Sequence, residues 1–493
     1  MKRAYRYAAS TLAALLAVTS VMVSCGEKAA AVTAETKAET VITEAETEDS
    51  SYHADFLPDA DYGGYKFRIL GYSDSYPPDI EAETGAMIDD TIYRRNRIIE
   101  EKYNIEIVPK LYLFTDYPQI TDAVTKAGRA QSDDFDLACM VFRGAYNAVL
   151  EGNVPPATAL PVVDLDAGRP WYNNSMNESI TIDGVGLICY TAFDNYPSGG
   201  CLIFNKKIVD DLGLGDPYAA VDGGNWTYED FYSMSEAAIS DLDGDGSFGV
   251  GDRFALISEW DRISALAYLG TGNLLVEIID GIPTVSQTER LHQAFLKMQE
   301  HTVIPGYLLD TFKTFGTAES SRLEGYTLFK NEHSMFVCTS TNTLTSLGDM
   351  EDDFGIIPFP KWEESQDRYY CYSSSANVYV PLWCSSDLER VMVIKEALAV
   401  ESLNLVYPTY YDNALKNRYI RDNESLRMLE LIVNSTVNDL GTNPFWDIIR
   451  DPWQSTLSSG KDNFMSKVEK NMKKSQKALD DLMEMIATVK TGD

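Results

Sequence analysis

Histidine is scarce in this chain. His53, His292, His301 and His333 are the only four among 493 residues. None forms H-E-x-x-H or a close pair, so a histidine zinc site is not expected. Cysteine is sparse too: seven residues, Cys25, Cys139, Cys189, Cys201, Cys338, Cys371 and Cys384, without C-x-x-C spacing. A disulfide framework is not expected in so long a chain. Isolated buried thiols are, with one bridge, Cys189 to Cys201, left open. No Walker A loop and no nucleophile elbow occurs. Basic charge is short as well, with 41 Lys and Arg against 75 Asp and Glu, a net charge of −34. Such a surface repels phosphate backbones and anionic headgroups. Nucleic-acid binding and charge-driven membrane binding are thereby excluded, and neutral or cationic partners remain.

What is present is globular. The chain is 45% hydrophobic, 11% aromatic and 24% charged. At about 100–200 residues per domain, its length suggests two to four domains. Residues 1–24 read as a secretion signal: Lys2, Arg3 and Arg6, then the apolar stretch Ala8–Val23, too short and too rich in Ala, Thr and Ser for a membrane span. It ends in Met22-Val23-Ser24-Cys25-Gly26, which resembles a bacterial lipobox with Met in place of the usual Leu. Cys25 would then carry the lipid, and the membrane contact would be this anchor alone. The Ala/Thr/Glu-rich segment that follows, residues 25–53, cannot bury a core and reads as a flexible tether. Gly26–Tyr52 carries only −5 of the charge, so the acidity belongs to the folded body.

Strand and helix patterns alternate along the body. Tyr65–Tyr72, Asn104–Leu111 and Asp136–Phe142 read as strands, and Ile88–Tyr103 and Tyr117–Gly128 as helices between them. A second strand-to-helix series begins near Gly184. Asp387–Leu405 and 462–489 are helical in period. The pattern argues for an α/β fold with parallel or mixed sheets.

The order of several short motifs resembles the extracellular solute-binding proteins of ABC transporters, in their carbohydrate-type cluster. They are Ser132-Asp133-Asp134-Phe135-Asp136, Leu160-Pro161 with Arg169-Pro170-Trp171-Tyr172, Phe204-Asn205-Lys206-Lys207 followed by Asp211-Leu212-Gly213-Leu214, Asn225-Trp226-Thr227-Tyr228-Glu229-Asp230-Phe231, and Asp353-Phe354-Gly355-Ile356-Ile357-Pro358-Phe359-Pro360. The family's F-x-x-G-k-a-A-M element departs here to Phe329-Lys330-Asn331-Glu332-His333-Ser334-Met335, the mark of a distinct branch. The resemblance covers roughly residues 60–490. It implies a two-lobed, type II clamshell with discontinuous lobes, 55–192 with 356–405 and 193–355 with 406–493, and a helical C-terminal part. It also implies a monomeric, non-enzymatic receptor on the extracellular face of a bacterial membrane. That receptor would take up a carbohydrate, an oligosaccharide, and pass it to ABC permease subunits. A glycan-retaining or glycan-hydrolysing surface lipoprotein is the alternative.

The strongest local motif is Asp241-Leu242-Asp243-Gly244-Asp245-Gly246-Ser247-Phe248-Gly249-Val250-Gly251-Asp252. Acids at positions 1, 3, 5 and 12 and Gly at 6 match an EF-hand calcium loop. Asp241, Asp243, Asp245, Ser247 through its carbonyl, and Asp252 are the expected ligands of a structural calcium. Asp in place of Glu at position 12 shortens the closing arm. The preceding helix starts in a Thr227/Asp230 capping box. The following Phe254–Ile257 is strand-like, so the loop is EF-like without a second helix.

A sugar stacks its C–H faces on aromatic rings and takes hydrogen bonds from acids and amides. The candidate ligand residues follow strand ends or crossover points: Phe142 and Arg143; Asp194, Asn195 and Tyr196; Trp260 and Asp261; Asn342; and Trp446 and Asp447. Trp171 and Trp226 read as structural.

Overall fold

The computed structural model describes residues 51–493 apart from 74–77, 287–288, 374–376, 384, 417–418, 443–444, 446, 460, 462 and 492–493. The expected leader, Cys25 and the tether as far as residue 50 therefore lie outside the described residues, as do Cys384 and Trp446.

Two sheets organise the chain. Tyr65–Tyr72 is buried continuously from Ile69 to Tyr72, as expected for a strand covered on both faces. It pairs in parallel with Ile105–Tyr112, Tyr65 opposite Ile105 and Tyr72 opposite Tyr112. On its other side it pairs in parallel with Leu137–Val141, and Asn377–Pro381 closes the sheet antiparallel to that strand. The helices Met87–Tyr103 and Tyr117–Ala130 make the crossovers. Each stops on a left-handed residue, Asn104 at φ 49° and Gln131 at φ 51°. That turn ends the helix and sends the chain back to the sheet. At this amino-terminal end of the strands, Asp136 is fully enclosed. It accepts hydrogen bonds from the Arg68 backbone N–H (2.7 Å), Arg68 Nη2 (2.9 Å) and the Tyr65 hydroxyl (2.7 Å).

The second sheet has the order 308–310, 254–258, 334–340, 200–205, 354–357. Its central strand Ser334–Ser340 is buried at every residue. It runs parallel to Phe254–Ser258 and antiparallel to Gly200–Asn205. The chain therefore passes between sheets twice, outward between 141 and 200 and back between 357 and 377. The rest is helical, as its period implied: Leu388–Glu401, Tyr407–Lys416, Asn423–Asn434, Arg450–Ser459 and Phe464–Thr491. Among the described residues no helix is long and apolar enough to cross a membrane.

The expected capping box forms: Thr227 Oγ1 caps the Asp230 N–H, and the Asp230 carboxylate accepts from the Thr227 N–H at 3.0 Å. Trp226, just before it, is completely buried and donates from Nε1 to the Pro358 carbonyl at 3.1 Å. Cys139, Cys189, Cys201, Cys338 and Cys371 are all buried free thiols, so no Cys189–Cys201 bridge forms.

Truncating Trp226 removes one of the largest enclosed side chains and strands the Pro358 carbonyl. Trp226→Ala should destabilise the protein by about 3–5 kcal/mol in urea unfolding. A change below about 1 kcal/mol would show that the site collapses freely around the gap.

Candidate functional site

In open α/β sheets the backbone at the carboxyl ends of parallel strands turns into loops and helix N-termini, and ligands collect there. Strand Phe254–Ser258 ends at Glu259, and helix Trp260–Leu269 starts at once, placing Asp261 and Arg262 on its first turn. Arg262 Nη1 donates to the Tyr372 hydroxyl at 2.7 Å and Nε to Glu259 at 3.3 Å. The Tyr372 hydroxyl in turn donates to the Thr339 carbonyl at the end of the central strand, at 2.9 Å. The guanidinium is thus fixed in place by two neighbouring strand ends.

Beside it lies a polar cavity of about 220 Å³, with Asp261, Arg262, Tyr268, Tyr372, Asn438, Asp439, Thr442 and Arg450 among its walls. Asn438 and Asp439 follow the short strand Thr436–Val437. Asp439 is enclosed and accepts three backbone hydrogen bonds, from Leu275 (2.6 Å), Val276 (3.2 Å) and Gly441 (2.7 Å). Burial outweighs those donors and pushes its carboxyl up to about 6. Asn438 lies against the Tyr190 hydroxyl, yet Asn438 Nδ2 and Tyr190 Oη are both buried without a hydrogen bond of normal geometry.

The same spot touches the first sheet. Tyr190 stacks on Phe142 at 6.2 Å, and Phe142 is the first residue after strand Leu137–Val141. Tyr146, one turn on, meets Phe445 edge-on at 5.7 Å. The cavity therefore sits at the carboxyl-end rim of the second sheet, and its Asn438 wall is joined through Tyr190 to Phe142 at the carboxyl end of strand Leu137–Val141.

The candidate residues fall into distinct places. Asp261 lines the cavity. Trp260, next to it, packs half-buried against the core. Phe142 is sealed beneath Tyr190, and Arg143 is exposed. Asp194 is buried and engaged by Thr191, Tyr379 and Lys395. Asn195 Nδ2 donates to the Asn377 carbonyl at 2.5 Å, and Tyr196 stacks on Tyr410 at 5.2 Å. These three residues gather at the first passage between sheets, away from the cavity walls. Asn342 is exposed in the turn after the central strand, where its Oδ1 accepts from Ser340 Oγ. Asp447 is exposed, with Lys474 Nζ at 3.9 Å. Reading the sequence missed Arg262, Tyr372, Asn438 and Asp439. The one signal for the last pair was two polar residues set between Val437 and Leu440.

The loop at 241–252 is separate from this cavity. Carboxylate oxygens of Asp241, Asp243 and Asp252 lie within 4.8 Å of one another. Asp241 accepts from the N–H groups of Gly244 (2.7 Å) and Gly246 (2.9 Å), and Asp252 from Leu242 (2.9 Å) and Gly249 (2.8 Å). The Gly249 and Leu242 N–H groups hold the Asp252 carboxyl below its ordinary value. Asp245 and Ser247 are exposed on the same loop. An all-oxygen, acid-rich donor set suits a hard cation such as calcium.

Solved structures share this architecture. A cyclo/maltodextrin-binding protein complexed with maltotetraose superposes with a TM-score of 0.56 at 15% identity, over 84% of this chain and 97% of that one. A sugar transporter from Rhizobium etli in an open conformation gives 0.56 at 16%, over 83% and 99%. An ABC substrate-binding protein from Listeria monocytogenes in complex with cycloalternan gives 0.50 at 13%, over 85% and 99%. No family model and no curated protein matches the chain. At these identities the likeness shows the fold: the two-lobed α/β architecture of sugar-binding proteins.

A buried carboxyl raised from 3.8 to about 6 favours the folded state increasingly as pH falls from about 6 toward 4, since only folding raises its affinity for a proton. The stability of the native protein minus that of Asp439→Asn should therefore grow on acidification across that window. Urea unfolding at a series of pH values measures it, and a flat difference would show that Asp439 is not raised.

Proposed function

We propose that this protein is an extracellular substrate-binding lipoprotein that captures a carbohydrate and delivers it to an ABC permease. The observation that carries the reading is the polar cavity at the carboxyl-end rim of the second sheet, in a fold shared with sugar-binding proteins. Its 220 Å³ is the room of about seven waters, enough for one sugar ring with its hydroxyls, so an oligosaccharide would place one unit there. Asp261 accepts from paired hydroxyls, and the rings of Tyr268 and Tyr372 offer apolar surface. No bond need be made or broken. Contacts that both lobes make only when closed would stabilise the closed state. Lipid attachment at Cys25 and the 25–53 tether would hold the receptor at the membrane face.

Asp261→Asn should weaken binding of a neutral oligosaccharide by about 10- to 100-fold, the value of one hydrogen bond to a charged group. Calorimetry across a panel that includes maltotetraose tests this. Undiminished affinity, or release of hydrolysis products, would overturn the reading.

The 241–252 loop completes the proposal as a structural calcium site, with Asp241, Asp243 and Asp252 as its converging carboxylates and Asp245 and the Ser247 carbonyl as further ligands. Bound calcium would neutralise the repulsion among these acids. Thermal unfolding should occur several degrees higher in calcium than in chelator, and Asp243→Ala should abolish the difference. Equal melting temperatures for the unsubstituted protein would rule calcium out.

A further inference from the structure

A second cavity, of about 580 Å³, shares no wall residue with the first. No strand of either sheet ends in it. Its volume lies within the usual range for small-molecule sites. One wall is Trp171, whose only donor is already used: Nε1 bonds the buried Glu396 carboxylate at 2.8 Å. The lining also includes the pair Tyr407 and Tyr411, one turn apart on helix Tyr407–Lys416. Glu430 and Asn434, one turn apart on helix Asn423–Asn434, complete it. Both are exposed and have no hydrogen bond or ion pair among the described residues. Among the described residues no Lys, Arg or His lines this cavity and one carboxylate does, which disfavours anions. Aromatic rings that offer apolar surface, beside one acid and one amide with free hydrogen-bonding capacity, are the chemistry that receives a neutral hydroxylated ring.

The walls also come from both halves of the fold. Helix Tyr407–Lys416 is tied to helix Met87–Tyr103, a crossover of the first sheet, through Thr409 and Thr91 (3.3 Å). Helix Asn423–Asn434 is tied to the second-sheet side through Ser425 and Tyr218 (2.6 Å). Immediately beyond Asn434 the chain runs through Thr436 to Asn438 and Asp439, which wall the first cavity.

We infer that this cavity is a second carbohydrate site, which takes a neutral sugar ring between the tyrosines and the Glu430–Asn434 pair. It is independent of the cleft at Asp261, and its chemistry does not rest on the transport reading. The test uses the full chain and equilibrium dialysis against D-glucose, D-galactose, D-xylose, maltose, maltotetraose and choline. Asn434→Ala, an exposed substitution that leaves the core intact, is compared with Tyr411→Ala and with Asp261→Asn. At least one sugar should bind in a mode that Asn434→Ala weakens tenfold or more and Asp261→Asn leaves unchanged. The inference is overturned if no sugar binds in such a mode. It is also overturned if choline alone binds with sensitivity to Tyr411→Ala, which would make the cavity a cation site. Sugar binding that responds only to Asp261→Asn leaves the transport reading standing and removes this one. Loss of the Asp261 effect alone does the reverse.

Discussion

One buried ion pair holds the passage between the sheets. Lys395 Nζ and Asp194 Oδ1 lie 3.4 Å apart with both side chains almost wholly enclosed. The ammonium also donates to the carbonyls of Tyr379 (2.7 Å) and Cys189 (3.4 Å). The carboxylate accepts from the backbone of Tyr379 (2.6 Å) and Thr191 (2.6 Å) and from the Thr191 hydroxyl (2.7 Å). Desolvating two charges is costly, and only a full set of partners offsets it. Those partners come from three separate pieces of chain: the outgoing passage, the returning strand Asn377–Pro381 and helix Leu388–Glu401. Removing either ion would leave the other charged and unpaired in the interior. The start of the first passage is therefore pinned to the strand on which the chain returns.

The first cavity borders that pinned passage through Asn438 and Tyr190. It needs Tyr190 to lie over Phe142 and Asn438 to lie over Tyr190, while Arg262 and Tyr372 hold the far wall. A similar device supports the second cavity, where Glu396 accepts from Trp171 Nε1, the Tyr172 hydroxyl (2.6 Å) and Arg169 (3.1 Å). Burial pushes the Glu396 carboxyl up despite those donors. There the enclosed acid fixes the orientation of the aromatic wall, as the Asp194–Lys395 pair fixes the backbone of the passage.

Much of the fold was legible in the residues. The strand at 65–72, the helices that begin near 87 and at 117, the capping box at Thr227 and the long final helix all follow local rules of period and capping, which depend on near neighbours alone. The acidic loop is legible for the same reason, because its turn and its carboxylates lie within twelve residues. The candidate site was read less well. Asp261, expected from its place after an apolar strand, lines the first cavity. Asp194 was expected at a ligand by the same logic, and its oxygens turn out to be occupied by Thr191, Tyr379 and Lys395. Nothing near Asp194 in sequence announces Lys395, some two hundred residues away.

By itself, then, the sequence determined the α/β class, the order of elements, the acidic surface that disfavours anionic partners, and the oxygen-rich loop. Each rests on composition or on contacts a few residues apart. Only the tertiary structure decided which polar residues share a cavity. Arg262, Tyr372 and Asn438 meet because the end of strand Phe254–Ser258 lies beside the short parallel pair Cys371–Tyr372 and Thr436–Val437, and their separations of tens to more than a hundred residues leave no periodic trace. It likewise decided that Trp171 would wall a second cavity, because the faces of a ring that stay open depend on what packs against the others.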